Sequence, residues 1–183
     1  MSLKPWKYLS ETSIAKTRIF DLVSRRFRHP VLGREDDFYA LKTGSWANIA
    51  ALTPNDELVL VKQFRFGIQD FTLEFPGGIV DPGEDAGKAA SRELTEETGF
   101  TGTNLQSLGE VYPNPAIMNN RCFFFRVDEA QLTDEINLDP NEDIEVVVAT
   151  IDQVIEWGKE GKFSHALANV CLLRLLLSLG RAG

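Results

Sequence analysis

Residues 78–100, GIVDPGEDAGKAASRELTEETGF, constrain this chain more tightly than any other segment. Gly83-Glu84-Asp85 reads as a turn delivering a helix N-cap, because the Asp85 carboxylate can accept a bond from an early backbone N–H. From Ala86 the run AGKAASRELTEET is rich in helix formers, with Ala89, Ala90 and Leu94 as inward residues. Gly99 stands where a left-handed C-terminal stop belongs. On that helix Glu93 and Glu97 share a face at i, i+4, with Glu96 one turn beyond Glu93 at i+3. Like charges so placed oppose the helix, so helix stability alone does not account for the cluster. A divalent cation removes the conflict, since carboxylate oxygens suit Mg²⁺ or Mn²⁺. Such a centre can neutralise charge on substrate oxygens and activate a water.

Composition narrows the partners. The net charge of −8 argues against nonspecific nucleic-acid binding, which needs a basic footprint, and part of it lies in the 78–100 segment and in 134–145. Cys122 and Cys171 are the only cysteines and sit in apolar contexts (RCFFF and NVCLL), which predicts buried free thiols and a reducing compartment. No apolar leader is present in MSLKPWKYLSE, and the apolar run near Val170–Leu179 is short and interrupted by Arg174. The expectation is a cytoplasmic protein that does not engage a membrane.

Along the chain, 19–23 and 37–41 read as strands joined by the turn-rich HPVLGRED. Segments 47–52 and 58–64 read as a hairpin around Pro54-Asn55-Asp56, and 72–75 leads into Pro76-Gly77-Gly78. Strands follow at 107–112, 122–127 and 145–150, then helices at 151–158 and 164–179. Strands on both sides of one helix, closed by further helices, predict an α/β fold: an α/β/α sandwich with a mixed central sheet. Residues 1–45 are expected to form a strand-rich arm and residues 46–183 the main domain.

The pattern G-x5-E-x7-R-E-U-x-E-E-x-G-U, with U a bulky apolar residue, is met at Gly78, Glu84, Arg92, Glu93, Leu94, Glu96, Glu97, Gly99 and Phe100. This resembles the box of the Nudix hydrolases, which cleave a diphosphate linked to a further group. Outside the box, VKQFRF (61–66), TLEFPGG (72–78), Pro115 sixteen residues after Gly99, and NEDIEV (141–146) resemble the ADP-ribose and nucleoside-diphosphate-sugar pyrophosphatases of that family.

The resemblance implies Mg²⁺-dependent hydrolysis of ADP-ribose or a related nucleoside diphosphate sugar to a nucleoside monophosphate and a sugar phosphate. Glu93, Glu97 and the Gly77 carbonyl would be metal ligands, with Glu96 a third carboxylate. Arg92 would orient a box glutamate, while Glu142 would serve as general base or align the water. Arg65 and Arg121 are candidates for the diphosphate or terminal sugar, because guanidinium forks match phosphate oxygens. Trp6 and Trp46 are candidates to stack the base, and Pro115 marks the branch. The N-terminal arm implies a homodimer. Other readings are a Nudix substrate such as GDP-mannose or a dinucleoside polyphosphate, or a nucleotide-sugar sensor without turnover. His165 ahead of the last helix reads as a capping or packing residue.

Overall fold

The computed structural model describes residues 3–138, 140 and 142–181, which fall into two compact units. The first unit joins the N-terminal residues up to Gly44 with Tyr112–Arg121. Its three strands, β1 (Lys7–Lys16), β2 (Asp21–Arg28) and β3 (Glu35–Lys42), form an antiparallel sheet in that order. Thr17 closes the first turn, its hydroxyl donating to the Phe20 carbonyl at 2.6 Å and accepting from Phe20 N–H at 3.0 Å. At the second turn His29 Nδ1 accepts from the backbone N–H groups of Val31 and Leu32, at 3.1 and 3.0 Å. Segment 112–121 is sewn to β3: Leu41 N–H donates to the Ile117 carbonyl at 2.7 Å, and the Asn120 amide donates to the Gly44 carbonyl at 3.1 Å.

Strand β1 is absent from the sequence reading. KYLSETSIAK has no apolar alternation and is exposed nearly throughout. Polar and aromatic cross-strand pairs hold it instead. Glu11 bonds both Arg25 (2.9 Å) and Lys42 (2.8 Å), and Tyr8 packs edge-on against Phe27.

The second unit holds β4 (Trp46–Leu52), β5 (Glu57–Arg65), β6 (Asp70–Glu74), β7 (Gly77–Ile79), α1 (Ala86–Thr98), β8 (Phe100–Val111), β9 (Cys122–Leu132), β10 (Ile144–Thr150), α2 (Ile151–Lys159) and α3 (Ala166–Ser178). The sheet runs β10-β5-β4-β9-β8, with β6 beside β5 and β7 beside β4; β4 and β9 are parallel and the other pairs antiparallel. This is the expected α/β/α sandwich with a mixed sheet.

The apolar runs of β4 and β5 are continuous because both faces are covered. Ile49 and Val59 pack with Ala89, Ala90 and Leu94 of α1, whereas Leu58, Leu60 and Phe124 pack with Val154, Phe163, Cys171 and Leu175. Both cysteines are buried and free, and burial pushes the Cys122 thiol up to about 12. Strand β8 begins at Phe100, directly after the helix stop, and extends well upstream of the expected 107–112; bulges near Thr103 and Gly109 break the alternation that would have revealed it. Among the described residues no helix is long and apolar enough to cross a membrane.

Candidate active site

Helix α1 carries most of the site, and its ends match the caps read from sequence. The Asp85 carboxylate accepts from Gly87 N–H (3.0 Å) and Lys88 N–H (3.1 Å). Gly99 takes φ 73°, donating to the Thr95 carbonyl at 2.8 Å. Ala89, Ala90 and Leu94 face the sheet, which turns Arg92, Glu93, Glu96 and Glu97 toward β7 and one another.

The short strand β7 lies against β4, with Asn48 opposite Gly77 and Ala47 opposite Gly78. A side chain at Gly77 is barred by backbone, and one at Gly78 would have to displace a carboxylate of the site. A Cβ on Gly77 would run into the Ala47 carbonyl, and one on Gly78 into the Glu93 carboxylate. The backbone therefore approaches the helix closely enough for Gly77 N–H to donate to Glu97 Oε2 at 2.9 Å.

The box carboxylates divide into two electrostatic groups. Arg92 gathers the first: Nε and Nη2 donate to Glu84 at 3.1 and 3.2 Å, Nη1 donates to Glu93 and Glu96 at 2.9 Å each, and Nη2 also reaches the Ile79 carbonyl. The Arg92 bond, helped by Asp81 N–H, holds the Glu84 carboxyl below its ordinary range. Glu93 moves the other way: burial raises it, Arg92 opposes, and Glu96 and Glu142 add repulsion.

Glu97 forms the second group nearly alone. Only 3% of it is exposed, and burial pushes its carboxyl up to about 8. The Gly77 N–H partly offsets that, while Glu93 and Glu142 add to it. The exposed Glu142 thus acts on Glu93, Glu97 and Arg65 together. Asn141, the first residue of NEDIEV, lies outside the described residues, as does Asp139.

This donor set fits a hard divalent cation. A buried carboxylate next to two more and opposed by one N–H is under-compensated, and oxygen ligands with positive charge at their centre would remove the deficit. Among the described residues no trio of His, Cys, Asp or Glu side chains is preset as a cation site, since Arg92 engages Glu93 and Glu96.

Arg65 stands at the end of β5, where Nε and Nη2 each donate to Glu74 at 2.7 Å. Trp46 is half-buried against the α2/α3 core, paired with Ile79 and Cys122 across β4. The other three candidates belong to the first unit. Trp6 packs edge-on against His29 and Phe38 beneath the Arg34 guanidinium, Arg121 lies 5.6 Å from the Tyr112 ring, and Pro115 is exposed in a turn closed by the Asn114 carbonyl. The structure brings together Glu93, Glu96, Glu97, Arg92, Gly77, Arg65 and Glu142 within the second unit.

Sequence reasoning passed over Glu74. It is 2% exposed and accepts from Arg65 twice and from the Thr72 hydroxyl, with His165 Nδ1 3.2 Å from its Oε2. Burial would raise its carboxyl, but Arg65 and Thr72 overcome that and hold it low. His165 occupies the N-cap position of α3 yet makes no capping bond, turning to Glu74 instead. The lone acid inside TLEFPGG was the available signal.

Residues 44–168 match the family model described as the NUDIX domain. The chain is 30% identical over 156 residues to the ADP-ribose pyrophosphatase of Bacillus subtilis (strain 168), covering 82% of this chain and 84% of that one. It is 32% identical over 149 residues to the ADP-ribose pyrophosphatase of Haemophilus influenzae, covering 75% and 69%. A crystal structure described as an ADP compounds hydrolase superimposes with a TM-score of 0.86 at 22% identity over 99% of each chain, which establishes the shared fold.

Proposed function

The chain is a member of the Nudix family of hydrolases, and on that premise we propose that it hydrolyses the diphosphate bond of ADP-ribose, or a close nucleoside diphosphate sugar, with Mg²⁺. The products would be a nucleoside monophosphate and a sugar phosphate: AMP and ribose 5-phosphate from ADP-ribose. Family membership brings a requirement for a divalent metal; we propose Mg²⁺, with Mn²⁺ as the alternative, because both suit an all-oxygen donor set. The observation that carries the reading is Glu97, buried beside Glu93 and within the field of Glu142, with its charge only partly compensated by the Gly77 N–H and Arg65. The relatives that are ADP-ribose pyrophosphatases support the substrate.

Glu93, Glu97 and the Gly77 carbonyl would hold the cation, with Glu96 as a further carboxylate. When bound, the cation neutralises charge on the phosphate oxygens and acidifies a water. Water oxygen attacks one phosphorus, and the bond from that phosphorus to the bridging oxygen breaks. Glu142, exposed and with its charge felt at Glu97, would align that water or take its proton. Arg92 keeps Glu93 and Glu96 in place from the helix side. Arg65 would meet the diphosphate. Trp6, Trp46, Arg121 and Pro115 are proposed for the base and distal sugar. We assign the protein to the cytoplasm as a homodimer whose N-terminal arms supply the contact.

The test is hydrolysis of ADP-ribose, UDP-glucose, GDP-mannose and a dinucleoside polyphosphate with Mg²⁺, products separated chromatographically. ADP-ribose is expected to give the highest kcat/KM and equimolar AMP and ribose 5-phosphate. Turnover confined to GDP-mannose or the dinucleoside polyphosphate would move the chain to another substrate, and absence of turnover with all four would sink the proposal.

A further inference from the structure

We propose that Glu74 is the positioning residue for Arg65, gripping one edge of its guanidinium so that the other edge is presented to the substrate's diphosphate; this rests on the functional reading above. Glu74 cannot itself do the chemistry. A carboxylate has about four acceptor positions; here Arg65 Nε, Arg65 Nη2 and the Thr72 hydroxyl donate to three of them, and His165 Nδ1 stands 3.2 Å from Oε2. Those donors hold the carboxylate in its ionised form and turn it toward Arg65 rather than toward solvent.

The grip is two-point, at 2.7 Å on each nitrogen, and fixes the guanidinium plane as well as its position. Among the described residues Nη1 of Arg65 carries no hydrogen bond, and the side chain remains 41% exposed while Glu74 is buried. The guanidinium therefore has a protein-facing edge and an accessible edge. Its charge is felt at Glu97, and the charges of Glu97 and Glu142 are felt at Arg65. The accessible edge belongs to the same electrostatic neighbourhood as the box carboxylates.

A role in stability alone accounts poorly for this arrangement. Burying an ion pair gains little over apolar residues of the same volume, because the desolvation cost offsets the attraction. What a two-point grip provides is orientation, and a pre-oriented fork loses less freedom when an anion binds. Chain placement adds to the argument. Glu74 ends β6, and only Phe75 and Pro76 separate it from Gly77, whose N–H meets Glu97. His165 joins the grip from the loop before α3, so three separate segments converge on one carboxylate.

The experiment compares wild type, Glu74→Gln, Glu74→Asp, Arg65→Met and the double variant Glu74→Gln/Arg65→Met. Affinities of the metal-free proteins for inorganic pyrophosphate and ADP-ribose are measured by calorimetry, then kcat and KM with Mg²⁺. E74Q is expected to weaken both ligands about tenfold, the scale of one charge-assisted hydrogen bond. KM should rise by a similar factor with kcat held within about threefold, as for binding shared by ground and transition states. In the R65M background the E74Q effect on affinity should vanish. E74D, which keeps the buried charge but is too short to meet both nitrogens, should raise KM even if E74Q does not fold. Unchanged affinity and KM in E74Q or E74D, or a full E74Q penalty persisting in R65M, would overturn the inference. If wild type neither binds nor hydrolyses ADP-ribose while E74Q still weakens pyrophosphate binding, the substrate assignment falls and the positioning role stands.

Discussion

Glu74 and Glu97 are almost equally buried, 2% and 3% exposed, within one unit, yet their carboxyls are displaced in opposite directions. Burial raises both. At Glu74 two Arg65 bonds and the Thr72 hydroxyl reverse that shift; at Glu97 the Gly77 N–H and the more weakly felt Arg65 charge are set against repulsion from Glu93 and Glu142. Accessibility thus says little about what a buried acid does. The sign of its partners separates a carboxylate consumed by structure from one left for a cation.

The largest effect that sharpens this contrast is on turnover. Glu97→Gln should lower kcat by about two to three orders of magnitude, comparable to losing a key electrostatic group at an active site. The same substitution should raise the melting temperature of the metal-free protein at pH 8, because a neutral isostere replaces an unfavourably buried charge. Glu74→Gln should do the reverse to stability, losing about 1–3 kcal/mol by leaving donors unmatched. Calorimetric melts of both variants in chelator test the pair, and equal signs would break the comparison.

A smaller effect is the pH dependence of the metal-free protein. Glu97 is raised from 4.5 to about 8, so over that window the unfolded chain has released a proton that the fold retains. Its contribution makes stability fall as pH rises from 4.5 toward 8, then level off. Glu74 is held below 4.5, so its contribution is present above that value and is lost as pH falls through the folded-state pKa. Denaturant midpoints from pH 3 to 9 should show a shallower acid arm in E74Q and a shallower rising-pH arm in E97Q, with Glu84 and Glu93 supplying part of what remains of each. Saturating divalent cation should flatten only the second.

The smallest effect concerns the helix frame. Asp85→Ala removes two bonds at the start of α1 and should cost about 1 kcal/mol in chemical denaturation, leaving the E74Q and E97Q differences unchanged.

Helix α1 was legible because its caps and its inward stripe are local properties of consecutive residues. Strands β4 and β5 were legible because two-sided burial writes an unbroken apolar run. Strand β1 was not, since its partners are charges and rings on β2 and β3 that no local pattern announces. The box glutamates were found through spacing, but their division into an Arg92-bound group and a buried Glu97 needed the approach of β7. Glu74 escaped for the same reason: its partners come from β5, β6 and the loop before α3. Trp46 could be named in sequence only as a candidate stacking ring, because its packing against the α2/α3 core is made at long range.

The stitching of segment 112–121 onto β3 makes the first unit discontinuous in the chain. That has a consequence for dissection by truncation. Removing the first 44 residues would not excise one module cleanly, because the insert between β8 and β9 would lose the Leu41 and Gly44 partners that hold it. Isotope exchange at the Leu41 N–H, which donates to Ile117, should accordingly respond to changes in segment 112–121, distant from it in sequence.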